Sequence, residues 1–226
     1  MPTNDAGTNS VTRKAAARQA SATEVTSSTR GAQPDRRRVQ ILQESATLFD
    51  EFGYSATSMN DIADAVGVRK PTLYHYFDTK DEILFWLHEE FINTLIARQE
   101  QRMADEVPAD RMVFEIMADI LALMETHKGH VRTFFENHRE LPERHRKSSI
   151  EKRNRYGRML EDAIAQGTKD GSFRDVEPDL TALAVMGMVN WAYQWYLVGG
   201  SRTPRDIAAV FADLVLNGLA AGPARS

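Results

Sequence analysis

The sequence contains no cysteine. Disulfides, thiolate metal sites and cysteine nucleophiles are therefore excluded together, and the composition fits a reducing cytoplasm. Long apolar runs are also lacking. Residues 1–34 hold no stretch that could serve as a secretory core. The most hydrophobic segment, Ala182 to Val198, carries Asn190 and Gln194 and gathers its aromatics in one half, so it reads as a buried helix rather than a membrane span. Alternating apolar and polar positions are missing, so no strand is expected. No glycine-rich phosphate loop, HExxH or GxSxG occurs, and neither an enzyme nor a cofactor is expected. His127 and His130 lie close together with His138 and His145 beyond, but no dense carboxylate cluster joins them, so no metal site is expected.

What remains is a chain of 226 residues, 42% hydrophobic, with a net charge of −4. That charge argues against a surface that binds nucleic acid everywhere; any such contact must be local. Spacings of i, i+3, i+4 recur from Pro34 onward and predict an all-α fold of about nine helices. Residues 1–34 are rich in small and polar types, and they read as a flexible tail. Arg13, Lys14, Arg18 and Arg30 make it weakly positive, as a solvated leader or as an arm touching phosphates. A helix-turn-helix domain is expected over 35–82 and a ligand-binding and dimerisation domain over 83–226.

Helix 1 is expected from about Arg36 to Glu51, burying Val39, Ile41, Leu42, Ala46, Leu48 and Phe49 and ending at Gly53. Ser58 and Asp61 form a capping box for helix 2. Helix 3 is short, with Pro71 at its first position, and Thr79 to Glu82 opens helix 4, which continues to about Ala104. Further helices are expected near 109–127, 130–139, 143–169, 178–198 and 203–219.

The segment from Ala56 to Lys80 places two short helices around the turn Ala65-Val66-Gly67-Val68. The second presents Lys70, Thr72, Tyr74, His75 and Tyr76 outward while Leu73 and Phe77 face inward. Tyrosine hydroxyls and threonine can meet phosphates and thymine methyls in a major groove. Arg69, Lys70 and Lys80 make the segment locally positive. Arg36, Arg37 and Arg38 oppose the macrodipole of helix 1 at roughly 0.3–1 kcal/mol each; phosphate binding accounts for them, as does a solvated basic face.

Gly53, Thr57, Ile62-Ala63, Val66-Gly67-Val68, Thr72-Leu73-Tyr74, Tyr76-Phe77 and Lys80 resemble the signature of the TetR (tetracycline repressor) family, over about residues 36–85. The resemblance implies a homodimeric regulator of double-stranded operator DNA whose recognition helix enters the major groove. Lys70, Pro71, Thr72, Tyr74, His75 and Tyr76 would then face DNA, Lys80 would meet phosphate, and Ser58, Arg69 and Arg36 to Arg38 would flank them. Arg69 and Pro71 replace the Ser and Gly of many relatives, which bears on base preference. Family members pair their two terminal helices with a two-fold mate and shift helix 4 when ligand binds. Here Ile207, Val210, Phe211, Leu214, Val215 and Leu219 are expected on one face of the last helix.

For the ligand, a small apolar effector, Phe91, Phe114, Met117, Leu121, Phe134, Phe135, Met159, Met186, Trp191 and Trp195 are candidate wall residues, with Arg155 for a charged group; each is equally a core residue. Arg139, Arg144, His145, Arg146, Lys147, Lys152, Arg153, Arg155 and Arg158 crowd one stretch, as a solvated face or as a holder of acyl-coenzyme A phosphates. Arg153-Asn154-Arg155, Gly171 to Arg174, Trp195-Tyr196 and Gly199-Gly200 resemble acyl-CoA-responsive members of fatty-acid and steroid catabolism. A multidrug sensor, using Glu136, Glu140 and Glu143 for cations, and a family-fold interaction protein without DNA binding are the alternatives.

Overall fold

A computed structural model describes residues 36–219; the tail expected over 1–34 lies outside the described residues. Nine α-helices and no strand are found among them. Helix α1 spans 36–52 and stops at Gly53, whose φ of +85° is the left-handed geometry that glycine adopts without a Cβ penalty. Helix α2 (Met59–Val66) begins with the capping box: the Asp61 amide donates to Ser58 Oγ and the Ser58 amide to Asp61 Oδ2. Gly67 ends it at φ +70°. Helix α3 (Lys70–Tyr76) follows at once. Pro71 falls at its second position, one later than expected, with Arg69 as the cap and Lys70 first. The missing N–H still costs little, because no amide of the first turn has an intrahelical acceptor.

Helix α4 (Lys80–Ala104) is capped by Thr79, which accepts from the Glu82 amide. It belongs to two cores. Ile83, Leu84 and Leu87 pack with Ile41, Phe49, Ile62, Leu73 and Phe77 of the first three helices. Phe91, Ile92, Leu95 and Ile96 pack with α5 (Ala109–Thr126), α6 (Lys128–Glu136), α7 (Glu143–Asp170), α8 (Pro178–Asn190) and α9 (Pro204–Leu219). Each such fully buried side chain contributes about 1.5–3 kcal/mol, so both ends of α4 are held firmly. Between the cores lies His88, fully buried, its Nδ1 2.8 Å from the Leu84 carbonyl and its ring 5.2 Å from that of Phe134. Burial lowers its pKa to about 4.

The segment expected as one helix over 178–198 is α-helical only to Asn190; Trp191–Gln194 is a 3₁₀ turn. Ala192 and Tyr196 turn inward and Tyr193 stacks on Phe135 at 5.2 Å, so tightening the chain seats three side chains that a continued α-helix would spread. The helix expected near 130–139 likewise shortens to Glu136, with a 3₁₀ turn over His138–Glu140. Val39 is exposed rather than buried, and Leu48 half-buried. The face expected on α9 divides: Ile207, Ala208 and Ala212 are buried, whereas Val210 and Leu214 are exposed. Among the described residues no helix is long and apolar enough to cross a membrane.

Helix α6 reaches α1 at Gly129, where a Cβ would stand 2.2 Å from the Ala46 carbonyl oxygen. Gly→Ala inside a helix ordinarily gains up to about 1 kcal/mol. Here the obstacle is backbone, and overpacking of about 1–3 kcal/mol wins. Gly129→Ala is expected to lower the melting temperature by several degrees; an equal or higher value would disprove the close approach. A second prediction concerns His88. Its folded pKa lies below the unfolded value, so stability is complete above about pH 6.5 and falls as pH drops toward 4, where only the unfolded chain takes up the proton. Melting at pH 7.5 and pH 5 should show a larger loss for wild type than for His88→Gln, and equal losses would contradict it.

Candidate nucleic-acid interface and effector cavity

Helix α3 is anchored from behind and bare in front. Leu73 and Phe77 are buried at 0% and 1% exposure, while Arg69, Lys70, Pro71, Thr72, Tyr74 and His75 are exposed. Lys70 Nζ stands 5.9 Å from the Tyr74 ring centroid. Tyr76 is half-buried against the first core, with the His75 ring at 5.6 Å, and contributes an edge rather than a free side chain. Beside α3, the start of α1 and Tyr76 enclose a polar depression lined by Arg36, Arg37 and Gln40. Arg37 donates to Gln40.

Three expected DNA contacts have work inside the protein. Lys80 Nζ donates to the Tyr54 and Thr57 carbonyls at 2.6 and 2.7 Å and lies 4.2 Å over the Tyr54 ring. The loop from α1 to α2 leaves those carbonyls without helical partners, and a half-buried ammonium satisfies both. Lys80 thus fastens the loop before α2 to the start of α4. Thr57 Oγ1 donates to the Gly53 carbonyl at 2.9 Å, and the Tyr54 hydroxyl donates to Asp81, which with burial pushes the phenol pKa up. Arg38 is half-buried, its guanidinium 4.5 Å from the Phe77 ring and 4.4 Å from that of Trp86. Ser58 is committed to Asp61.

In the second core a cavity of about 420 Å³ runs between α4, α5, α6, α7 and α8. Phe91, Phe134, Phe135 and Met186 line it as expected; so do Ile92, Leu95, Ile120, Tyr156, Ala182 and Leu183, which the sequence reading missed. Its polar wall is Arg153, Asn154, Arg158 and Glu161 of α7 with Asp179 and Asn190 of α8. Seven expected residues are elsewhere. Met117, Leu121 and Met159 are buried in solid core. Phe114 lies between the guanidinium groups of Arg111 and Arg205, at 4.9 and 4.8 Å. Trp191 and Trp195 are exposed. Arg155 pairs with Glu100; Arg153, two residues earlier, turns roughly 200° away and faces the cavity.

Part of the basic crowd is neutralised in place: Lys152 pairs with Glu89 and Arg146 with Glu143, while the His145 ring stacks on Phe85 at 4.1 Å. Glu136, Glu140 and Glu143, which a cation sensor would need inside, are exposed and do not line the cavity.

A helix-turn-helix joined by one long helix to an all-α domain with a cavity between its helices defines the architecture of a DNA-binding regulator. Residues 41–86 match the family described as bacterial regulatory proteins, tetR family, and residues 105–219 match the tetracyclin repressor-like C-terminal domain. The chain belongs to the tetR family of DNA-binding transcriptional regulators. It is 32% identical over 190 residues to the HTH-type transcriptional repressor KstR2 of Mycobacterium tuberculosis, covering 83% of this chain and 94% of that one. Among solved structures it is similar to the TetR family regulator PfmR of Thermus thermophilus, with a TM-score of 0.75, 31% identity, and 80% and 99% of the two chains covered. It is also similar to AibR, solved with isovaleryl coenzyme A and operator DNA, with a TM-score of 0.71, 27% identity, and 79% and 97% covered.

Tyr74 and Lys80 separate surface from scaffold. Tyr74→Ala is expected to abolish operator binding in a gel shift without lowering the melting temperature. Lys80→Met is expected to lower stability by roughly 1.5–3 kcal/mol for each charged hydrogen bond lost. A Lys80→Met protein of unchanged melting temperature that binds DNA weakly would restore the phosphate role.

Proposed function

We propose that the protein is a homodimeric repressor that holds operator DNA through α3 and releases it when an acyl-coenzyme A thioester occupies the α7–α8 cavity. The observation that carries the DNA half is the bare face of α3, where aromatic, hydroxyl and cationic groups stand exposed over a fully buried Leu73 and Phe77. A core helix has no use for such a face, whereas a major groove offers acceptors and methyl groups to it.

A dimer is supported by the apolar surface of α8, α9 and the segment between them. Leu180, Leu183, Trp191, Leu197 and Leu214 are each at least 60% exposed, and so much clustered apolar surface marks an interface. Two copies joined there give two recognition helices for successive major grooves about 34 Å apart. The effector class is supported by the cavity itself, apolar along α4 and α6 with Arg153 and Arg158 beside Glu161 along α7, and by the coenzyme A thioester bound in the AibR structure. Arg158, exposed beside the cavity, suits a phosphate; Arg146, Lys152 and Arg155 already have carboxylate partners. The drug-sensing reading loses the three glutamates proposed for it, which are exposed, and keeps only Glu161 and Asp179 of the cavity wall, which share that wall with Arg153 and Arg158.

The test is a gel shift with the promoter beside the protein's own gene, titrated with salt and then with a panel of acyl-coenzyme A thioesters and cationic dyes. Binding is expected to weaken steeply between low and moderate salt, as phosphate contacts release counterions, and a thioester rather than a dye is expected to release the DNA. A flat salt response, or release by dyes alone, would reject the corresponding half.

A further inference from the structure

Among the α7 cations without a carboxylate partner in the described residues, Arg144, Lys147 and Arg158 are exposed to water, and Arg153 is not. Arg146, Lys152 and Arg155 each meet a carboxylate. Arg153 lines the cavity half-buried, its guanidinium 5.7 Å from the Phe134 ring centroid, and no carboxylate among the described residues pairs with it. Burial lowers its pKa, with no acid to offset the effect. Guanidinium does not surrender its proton in a protein, so its charge has to be met by something else.

The surroundings offer no internal substitute. His88, behind Phe134, is neutral and supplies no negative charge. Glu161 lies eight residues further along α7, roughly 12 Å by helical rise. Asp179 is further still: α7 and α8 are joined by the short connection 171–177 and run antiparallel, so Asp179 lies toward the Glu161 end, while Asn190 lies toward the Arg153 end. Water can serve the guanidinium while the cavity is open. An occupant that is hydrocarbon throughout would strip that water and return nothing, which is the costly case for a buried charge.

We infer that the effector presents a carboxylate inside the cavity, that Arg153 receives it, and that the apolar remainder packs on Phe91, Phe134 and Met186. Arg153 is then a specificity-determining residue, because its planar fork matches a carboxylate and penalises an ester or a methyl in the same place. This inference rests on the effector-sensing reading above. The carboxylate has two possible sources: a free fatty acid, or the far end of a dicarboxylic acyl thioester.

Four probes distinguish them: octanoate, methyl octanoate, octanoyl coenzyme A and the mono-coenzyme A thioester of octanedioic acid. Binding is measured by calorimetry and operator release by gel shift, on wild type, Arg153→Met and Arg153→Lys, each first shown to melt cooperatively. The carboxylate-bearing member of one pair is expected to bind wild type about ten-fold or more tightly than its partner. Arg153→Met should erase that preference and Arg153→Lys restore part of it. Preference within the octanoate pair identifies a free acid; preference within the thioester pair identifies a dicarboxylic acyl group. Equal binding within both pairs, or a preference that survives in Arg153→Met, overturns the inference and leaves the repressor reading standing if any thioester still releases DNA. Should none of the four bind wild type, the inference falls; if the broader thioester panel also fails to release DNA, the effector reading falls with it.

Discussion

The double burial of α4 is the constraint on which the rest depends. One helix of 25 residues supplies three side chains to the core beneath the recognition helix and four to the core around the cavity. Neither core can shift along α4 without pulling on the other. At the junction His88 is bonded to the Leu84 carbonyl on one side and rests on Phe134, a wall of the cavity, on the other. Further along, Arg98 and Arg102 hold α4 to Asp119 of α5 at 2.8 and 2.5 Å. An occupant that moves Phe134 therefore has a packed route to α3, through His88, Leu84 and the first core.

Charge is distributed with the same economy. A chain with a net charge of −4 holds many of its cations against carboxylates or rings, and the proposed function rests on some of those left open. Lys80 and Arg38 place theirs on carbonyls and aromatic faces inside the protein, beside α3. Arg69 and Lys70 remain exposed, at the start of α3. Arg153 remains unpaired, and it faces inward. Among the described residues, Arg69, Lys70 and Arg153 have no carboxylate partner, the first two on the surface and the third in the cavity wall.

Much of this was legible in the residues. The helix count, the capping box of α2, the turn at Gly67 and the anchoring of α3 by Leu73 and Phe77 all follow from local pattern, and each is found; at α4 Thr79 caps the helix as expected, but the Glu82 carboxylate accepts from the Asp78 amide rather than closing a box with Thr79. Pattern failed where tertiary contacts decide. Lys80 looked free because nothing local reveals that the loop before α2 turns two carbonyls toward it. Met117, Leu121 and Met159 differ from Met186 only in whether a gap lies beside them, and the sequence does not record gaps. Arg155 and Arg153 carry the same side chain two residues apart; the 3.6-residue period says that they oppose each other, but not which one faces inward. The 3₁₀ turn at Trp191–Gln194 escaped detection because its cause is a stack with Phe135, more than fifty residues away in sequence.

Because the chain has no cysteine, a single Asp78→Cys substitution at an exposed position just after α3 admits one nitroxide label in each protomer of the proposed dimer without background. Pulsed dipolar spectroscopy of the operator-bound protein measures the separation of the two labels directly. Coupling through α4 predicts a narrow distribution compatible with one turn of B-form DNA, about 34 Å, that shifts when the thioester most effective in releasing DNA is added. A distribution that stays in place while the cavity fills would contradict it.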